Sequence, residues 1–246
     1  MKKIMIICVI MFGTTVMAKQ SVKADFMKRL QAKARKIKTQ SRSMHMEAIV
    51  TTNTPGGKVK IRENIFRKGK KIRMETTFIR GGRSKDMPAM FANMKTVTIT
   101  TPRGTWMISP MGTHKINNKH DLPPGVDATN WITRITGHIG KVNKVAGGFL
   151  IELKNTGKWS EALFSNDLNV LQMTGRNKNN MELKILFKDY SNAGGLQVPR
   201  QIISFMGKKP IFEMKINRIR LNPDLRPALF DPAKVKVKPI SIPQNR

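Results

Sequence analysis

The chain predicts a mainly β (α+β) fold: a curved antiparallel sheet forming an unclosed half-barrel, with an N-terminal helix and short helical lid segments over an apolar cavity. Three observations predict it. Alternation of apolar and polar residues with period 2 recurs from Ser43 to Leu221, the mark of strands with one apolar face. Helical spacing is confined to one N-terminal stretch and two short inserts, too little to cover so long a sheet unless the sheet curls around it. Near the end of the chain Phe212, Met214 and Ile216 keep one phase while Ile219 and Leu221 take the other, the slip that a bulge or a sharp bend makes in a strongly curved sheet.

Lys2 and Lys3 precede an apolar run from Ile4 to Phe12, with small-residue exits at Ala18 and Ala24. This pattern predicts a signal peptide over residues 1–24, cut after Ala18 or Ala24, and a mature protein outside the cytoplasm. The run is too short to span a bilayer. The single cysteine, Cys8, lies inside it, so no disulfide, thiolate metal site or catalytic thiol is expected in the mature chain. The formal charge is +31. Such a field attracts polyanions; export disfavours nucleic acid and favours an anionic membrane surface or an acidic protein partner. Lysines merely solvated on polar faces would give the same composition.

Asp25 to Lys38 sets Phe26, Leu30 and Ile37 among dense Lys and Arg, predicting an amphipathic helix with a basic outer face, capped by Asp25. The period then changes. Met44, Met46, Ala48 and Val50 alternate up to the turn Pro55-Gly56-Gly57; Val59, Ile61 and Ile65 alternate with Lys58, Lys60, Arg62 and Asn64. After Lys68-Gly69-Lys70, Ile72, Met74, Thr76 and Phe78 alternate with Arg73, Glu75 and Thr77, giving a meander with one apolar and one basic face. Met87, Met90, Phe91 and Met94 follow at helical spacing and predict a short helix, either a core plug or the first lid segment, an apolar flap over a pocket. Val97 and Ile99, the turn Pro102-Arg103-Gly104, and Trp106 and Ile108 predict a hairpin. Ala128 to Ile139 carries Trp131, Ile132, Ile135 and Ile139 on one helical stripe, the second lid segment. Strands resume at Gly147 through Phe149, Ile151 and Leu153, followed by a loop or strand through Trp159 and Phe164, then strands from Leu168 to Met173 and from Met181 to Phe187. Two last strands flank Gly207-Lys208-Lys209, and residues 233–246 form a basic tail, an edge strand or a disordered arm.

An apolar cavity would be lined by inward residues of these strands and lids: Met44, Met46, Ile72, Met74, Phe78, Trp106, Phe212 and Met214 from the sheet, and Met87, Met90, Phe91, Met94, Trp131, Ile132 and Ile135 from the lids. Unbranched thioethers repack around guests of variable shape, although ordinary core filling uses methionine equally well. Catalytic chemistry has no visible carrier. Met44-His45-Met46 has copper-binding side chains, but in a strand His45 points away from both methionines. His114, His120 and His138 lack metal spacing, and no nucleophile elbow, zinc-protease motif or phosphate loop occurs. No metal, no cofactor and no enzymatic activity are expected.

The order of features from Asp189-Tyr190 through Gly194-Gly195, Val198-Pro199, a hairpin, Asn222 and Leu229-Phe230-Asp231-Pro232 resembles the periplasmic outer-membrane lipoprotein carrier family, the LolA-like lipoprotein-sorting proteins. The run VTITTPRGTWMISPMGTHKI resembles the central hairpin of the same family, with Arg103-Gly104 where the family has Asp-Gly. The resemblance implies that residues 25–232 form an unclosed barrel with a helical lid and a cavity for the acyl chains of lipoproteins crossing the periplasm. It further implies donor proteins at the inner membrane and acceptors at the outer membrane, and an arginine that latches the lid, for which Arg73 is the matching position. The function expected is that of a monomeric carrier of an acylated lipoprotein or lipid. The alternative is a regulatory or interaction domain of the same fold that senses lipid or binds a protein partner.

Overall fold

The computed structural model describes residues 2–79, 94–116, 132 and 135–237, with the backbone alone for residues 2–20. Helix α1 spans Lys2–Gln40 and therefore runs through Asp25. Nothing between Lys19 and Asp25 breaks a helix, so Asp25 caps nothing; it pairs with Arg29 one turn later at 3.7 Å. Phe26 and Leu30 are fully buried, and Ile37 is nearly so, as the apolar stripe requires.

The first meander comprises β1 (Ser43–Thr54), β2 (Gly57–Lys68), β3 (Lys71–Phe78), β4 (Lys95–Thr101), β5 (Gly104–Ser109) and β6 (Gly112–Ile116). The second comprises β7 (Ile139–Val145), β8 (Gly148–Leu153), β9 (Trp159–Ser165), β10 (Val170–Arg176) and β11 (Glu182–Lys188). A small separate hairpin, β12 (Ser191–Ala193) and β13 (Leu196–Val198), leads to β14 (Gln201–Met206) and β15 (Lys209–Leu221). Thirteen strands form one antiparallel sheet in the order β6-β5-β4-β3-β2-β1-β15-β14-β11-β10-β9-β8-β7. Strand β15 joins the two meanders by pairing with β1. Strands β6 and β7 stand at opposite edges and do not pair, so the sheet is open, a half-barrel rather than a closed one.

The phase slip in the last strand is a bulge. Glu47 faces Arg218 while Ala48 faces Ile216, leaving Asn217 without an opposite residue. Four strands, β6, β7, β12 and β13, are not visible as alternating runs in the sequence. Only Val142 is buried in β7, amid lysines, and β6 is almost wholly exposed, which is how edge strands avoid pairing with other chains. Ile139 opens β7 instead of closing a helix; among the described residues Ile132 and Ile135 are helical there, followed by a 3-10 turn over Thr136–His138.

Cross-strand pairs share a face, so the registers sort every side chain. One row runs Met46, Ile65, Met74, Thr98, Met107 and His114; this is the inner face, toward α1. The other row runs His45, Phe66, Arg73, Ile99, Trp106 and Lys115, the outer face. In β4 and β5 the apolar residues therefore change sides. Val97, Ile99 and Ile108 form a second, outer core, against which Val235 and Val237 pack. The described part of the tail is thus neither an edge strand nor a free arm: residues 233–237 cover this patch, after 3-10 turns at Pro227–Phe230 and Pro232–Lys234.

Candidate ligand-binding face

Helix α1 fills only part of the inner face. Phe26 packs tilted against Phe149 and edge-on against Phe164, with ring centroids 5.2 and 5.4 Å apart. Arg29 bonds the Asn166 carbonyl at 2.5 Å, and Lys33 Nζ donates to the Asp167 and Leu168 carbonyls and to Asn169 Oδ1 within 2.9 Å. The helix is therefore pinned to the β9–β10 turn, on the side of the second meander. Burial lowers the Lys33 ammonium to about 8, with Lys36 adding to the fall and Asp167 opposing it.

On the side of β2 and β3 the inner face is less completely covered. Ile61, Ile72, Met74, Phe78 and Phe212 are only partly buried, yet all but Phe78 pack against the main core. Phe78 stands opposite Ile61. Beyond them β4 and β5 present hydroxyls to the same side: Thr96, Thr98 and Thr100, with Thr100 and Thr105 oxygens 3.2 Å apart. Apart from the inward Glu63 and Arg67 of β2, the face thus grades from apolar on β1, β2 and β15 to hydroxyl-bearing on β4 and β5. A surface of that kind holds an alkyl chain at one end and a polar group at the other.

The residues expected to line a cavity divide by position. Met44, Met46 and Met214 point inward but are at most 2% exposed, so they are closed core beneath the face. Ile132 and Ile135 are likewise buried in the main core. Ile72, Met74, Phe78 and Phe212 do lie on the partly covered face, and Met94 adjoins it, its carbonyl accepting from the Phe78 amide. Trp106 does not: the register with Ile99 turns it to the outer face, where Lys115 lies 6.0 Å from its ring. Met87, Met90, Phe91 and Trp131 lie outside the described residues.

Arg73 is also on the outer face. Its guanidinium holds Glu75 at 2.5 Å and the Leu229 carbonyl at 3.0 Å, so what it fastens is the C-terminal segment, a different latch from the one the resemblance implies. Burial would raise the Glu75 carboxyl, but hydrogen bonds and charge from Lys95 and Arg73 outweigh it and hold the carboxyl below its usual range. His45 stacks on Phe66 with centroids 4.4 Å apart, on the face away from Met44 and Met46. Among the described residues no group of three metal-capable side chains occurs, and no helix is long and apolar enough to cross a membrane.

Two inward charges escaped the sequence reading. Glu63 and Arg67 share the phase of Ile61 and Ile65, which strict counting from Ile65 would have revealed. Arg67 is buried and donates to the Ser41 carbonyl at 3.0 Å. Glu63 is 6% exposed, its Oε2 has no hydrogen-bond partner, and burial pushes its carboxyl up to about 7.

An open antiparallel half-barrel, filled on one side by its N-terminal helix and presenting an amphipathic inner face on the other, is the LolA-like fold. Solved structures with this architecture bear it out. A DUF1329 family protein from Desulfovibrio piger superposes with a TM-score of 0.59 at 16% identity, over 87% of this chain and 99% of its own. A LolA superfamily protein from Nitrosomonas europaea gives 0.54 at 14% identity, over 85% of this chain and 98% of its own. A domain described as an outer membrane lipoprotein-sorting protein, from Vibrio parahaemolyticus, gives 0.51 at 12%, over 81% and 95%. At such identities the likeness is one of fold. No protein-family model matches the sequence, and no curated protein matches it.

Proposed function

We propose that the protein is a periplasmic carrier that binds the acyl chains of a lipoprotein or lipid on the inner face of its half-barrel and passes them toward the outer membrane. The observation that carries this reading is the incomplete covering of Ile61, Ile72, Met74, Phe78 and Phe212 beside a helix that fills only the other half of the sheet. Unfilled apolar surface inside a curled sheet is where an alkyl chain gains most on leaving water. Residues 1–24 would be the export signal, removed from the mature chain. The excess of basic residues, 46 Lys and Arg against 15 acids, would draw the carrier to anionic membranes or to acidic donor and acceptor proteins. Transfer would be passive, the chains exchanging between apolar surfaces with no covalent step and no cofactor. The fold shared with a domain described as lipoprotein-sorting supports the same assignment.

The test is mass spectrometry of an organic extract of the mature protein, purified without detergent from the periplasm. A stoichiometric acylated species is expected. An empty extract, together with no uptake of lipids or lipopeptides in vitro, would overturn the carrier reading and favour a partner-binding regulatory domain.

A further inference from the structure

We propose that Glu63 is the head-group anchor of this face and that it selects amphiphiles whose polar end carries an ammonium group. The inference rests on the acyl-binding reading above and names the chemistry of its cargo. Three strand carboxylates are matched by a base: Glu47 by Arg218, Glu75 by Arg73 and Lys95, Glu213 by Lys215, each within 4.0 Å. Those three lie on the outer face. Glu63 lies on the inner one, buried, with an oxygen that has no hydrogen-bond partner among the described residues.

In a chain this rich in lysine and arginine a cationic partner is readily available, and among the described residues none pairs with Glu63. The residues flanking Glu63 on its face are Ile61 and Ile65 along the strand, Ala48 on β1 and Thr76 on β3. None of these titrates. Arg67, the next charged group along the inner side of β2, is about 13 Å further on by strand geometry and is engaged with Ser41. A buried carboxylate without a donor is costly, and a donor carried in by a ligand would remove that cost. The row that starts at Glu63 continues through Thr76 and Thr96, whose hydroxyls can accept hydrogen bonds. An ammonium, with three donors and no acceptor, suits a carboxylate beside two hydroxyls; an anionic head would meet like charge in a low-dielectric wall. The net charge of the whole protein favours the opposite ligand, so a preference for a cation must arise locally.

The experiment titrates the mature protein with dodecylammonium, dodecanoate and dodecyl maltoside, each below its micelle-forming concentration, at a pH about one unit above the Glu63 value. The expected result is binding of dodecyl maltoside, and dodecylammonium bound about tenfold more tightly than dodecanoate. Glu63→Gln should erase that preference. In the wild-type protein, lowering the pH by about two units should weaken dodecylammonium binding, because the neutral carboxyl no longer pairs with it. Equal affinity of wild-type protein for the two ions, or a preference that survives in Glu63→Gln, overturns the head-group assignment while leaving the carrier reading intact. Failure of all three amphiphiles to bind overturns the carrier reading and this inference with it.

Discussion

Burial lifts the Glu63 carboxyl from an ordinary 4.5 to about 7, so the folded protein holds a proton there that the unfolded chain has released. The stability it allows is complete below about pH 4.5, declines as the pH rises, and levels off above about pH 7, a loss of roughly 3 kcal/mol. Urea midpoints across that range should show the decline, and Glu63→Gln should flatten it and leave the protein more stable at pH 8 than the wild type. Glu75, one strand away on the opposite face, has the reverse sign: its carboxyl is depressed, so its contribution is present above the unfolded value and disappears as the pH falls through the folded one. Asn222 shows how one residue can close a corner. It sits at φ 52°, where its short polar side chain is tolerated, accepts from the Arg42 amide at 2.9 Å and donates to the Gln40 carbonyl at 2.9 Å, tying the end of β15 to the junction of α1 and β1. Asn222→Ala loses both bonds and strains the backbone, so a destabilisation of about 2 kcal/mol in urea unfolding is expected. Asn222→Gly, free of the strain, should cost less.

At the scale of elements, α1 is held by Phe26 between Phe149 and Phe164, and Phe26→Ala should cost about 3–5 kcal/mol, read as a lowered urea midpoint. The C-terminal segment covers the outer core instead. Replacing Val235 and Val237 together by Asp should lower stability by about 2 kcal/mol while leaving binding of an apolar probe unchanged, since both side chains lie across the sheet from the inner face. Elements with one apolar face were legible in the sequence: β1, β2, β3, β8, β11 and the last two strands follow their alternation, and even the bulge at Asn217 left its trace as a phase slip. Alternation cannot say which side of the sheet an apolar row faces. That is why Trp106 and Ile99, alternating as regularly as Met74, proved to be outside, under a tail that composition alone makes look free. Edge strands β6 and β7 were hidden because an edge is polar by necessity. Glu63 was hidden because a carboxylate at an inward position interrupts the alternation that Ile61 and Ile65 otherwise keep.

For the molecule as a whole, basic side chains on the outer face, among them Lys60, Arg62, Lys215 and Arg218, predict binding to anionic vesicles that weakens steeply with salt and is absent on neutral ones, measurable by co-sedimentation. On the proposed carrier function, outer and inner faces would divide the labour, the first meeting membranes and the second meeting chains. The unpaired edges β6 and β7 bear on what size of guest can be admitted. A closed barrel has a fixed girth, because strand number and stagger set its radius and any widening must break a seam of backbone hydrogen bonds. This sheet has no seam. Its arc can spread or tighten by small changes of twist distributed over twelve strand pairings, with every ladder intact. The gauge of the molecule is therefore elastic: on the proposed function a second alkyl chain would be admitted at the expense of side-chain contacts alone, and one and the same fold would clasp thin or thick bundles of chains.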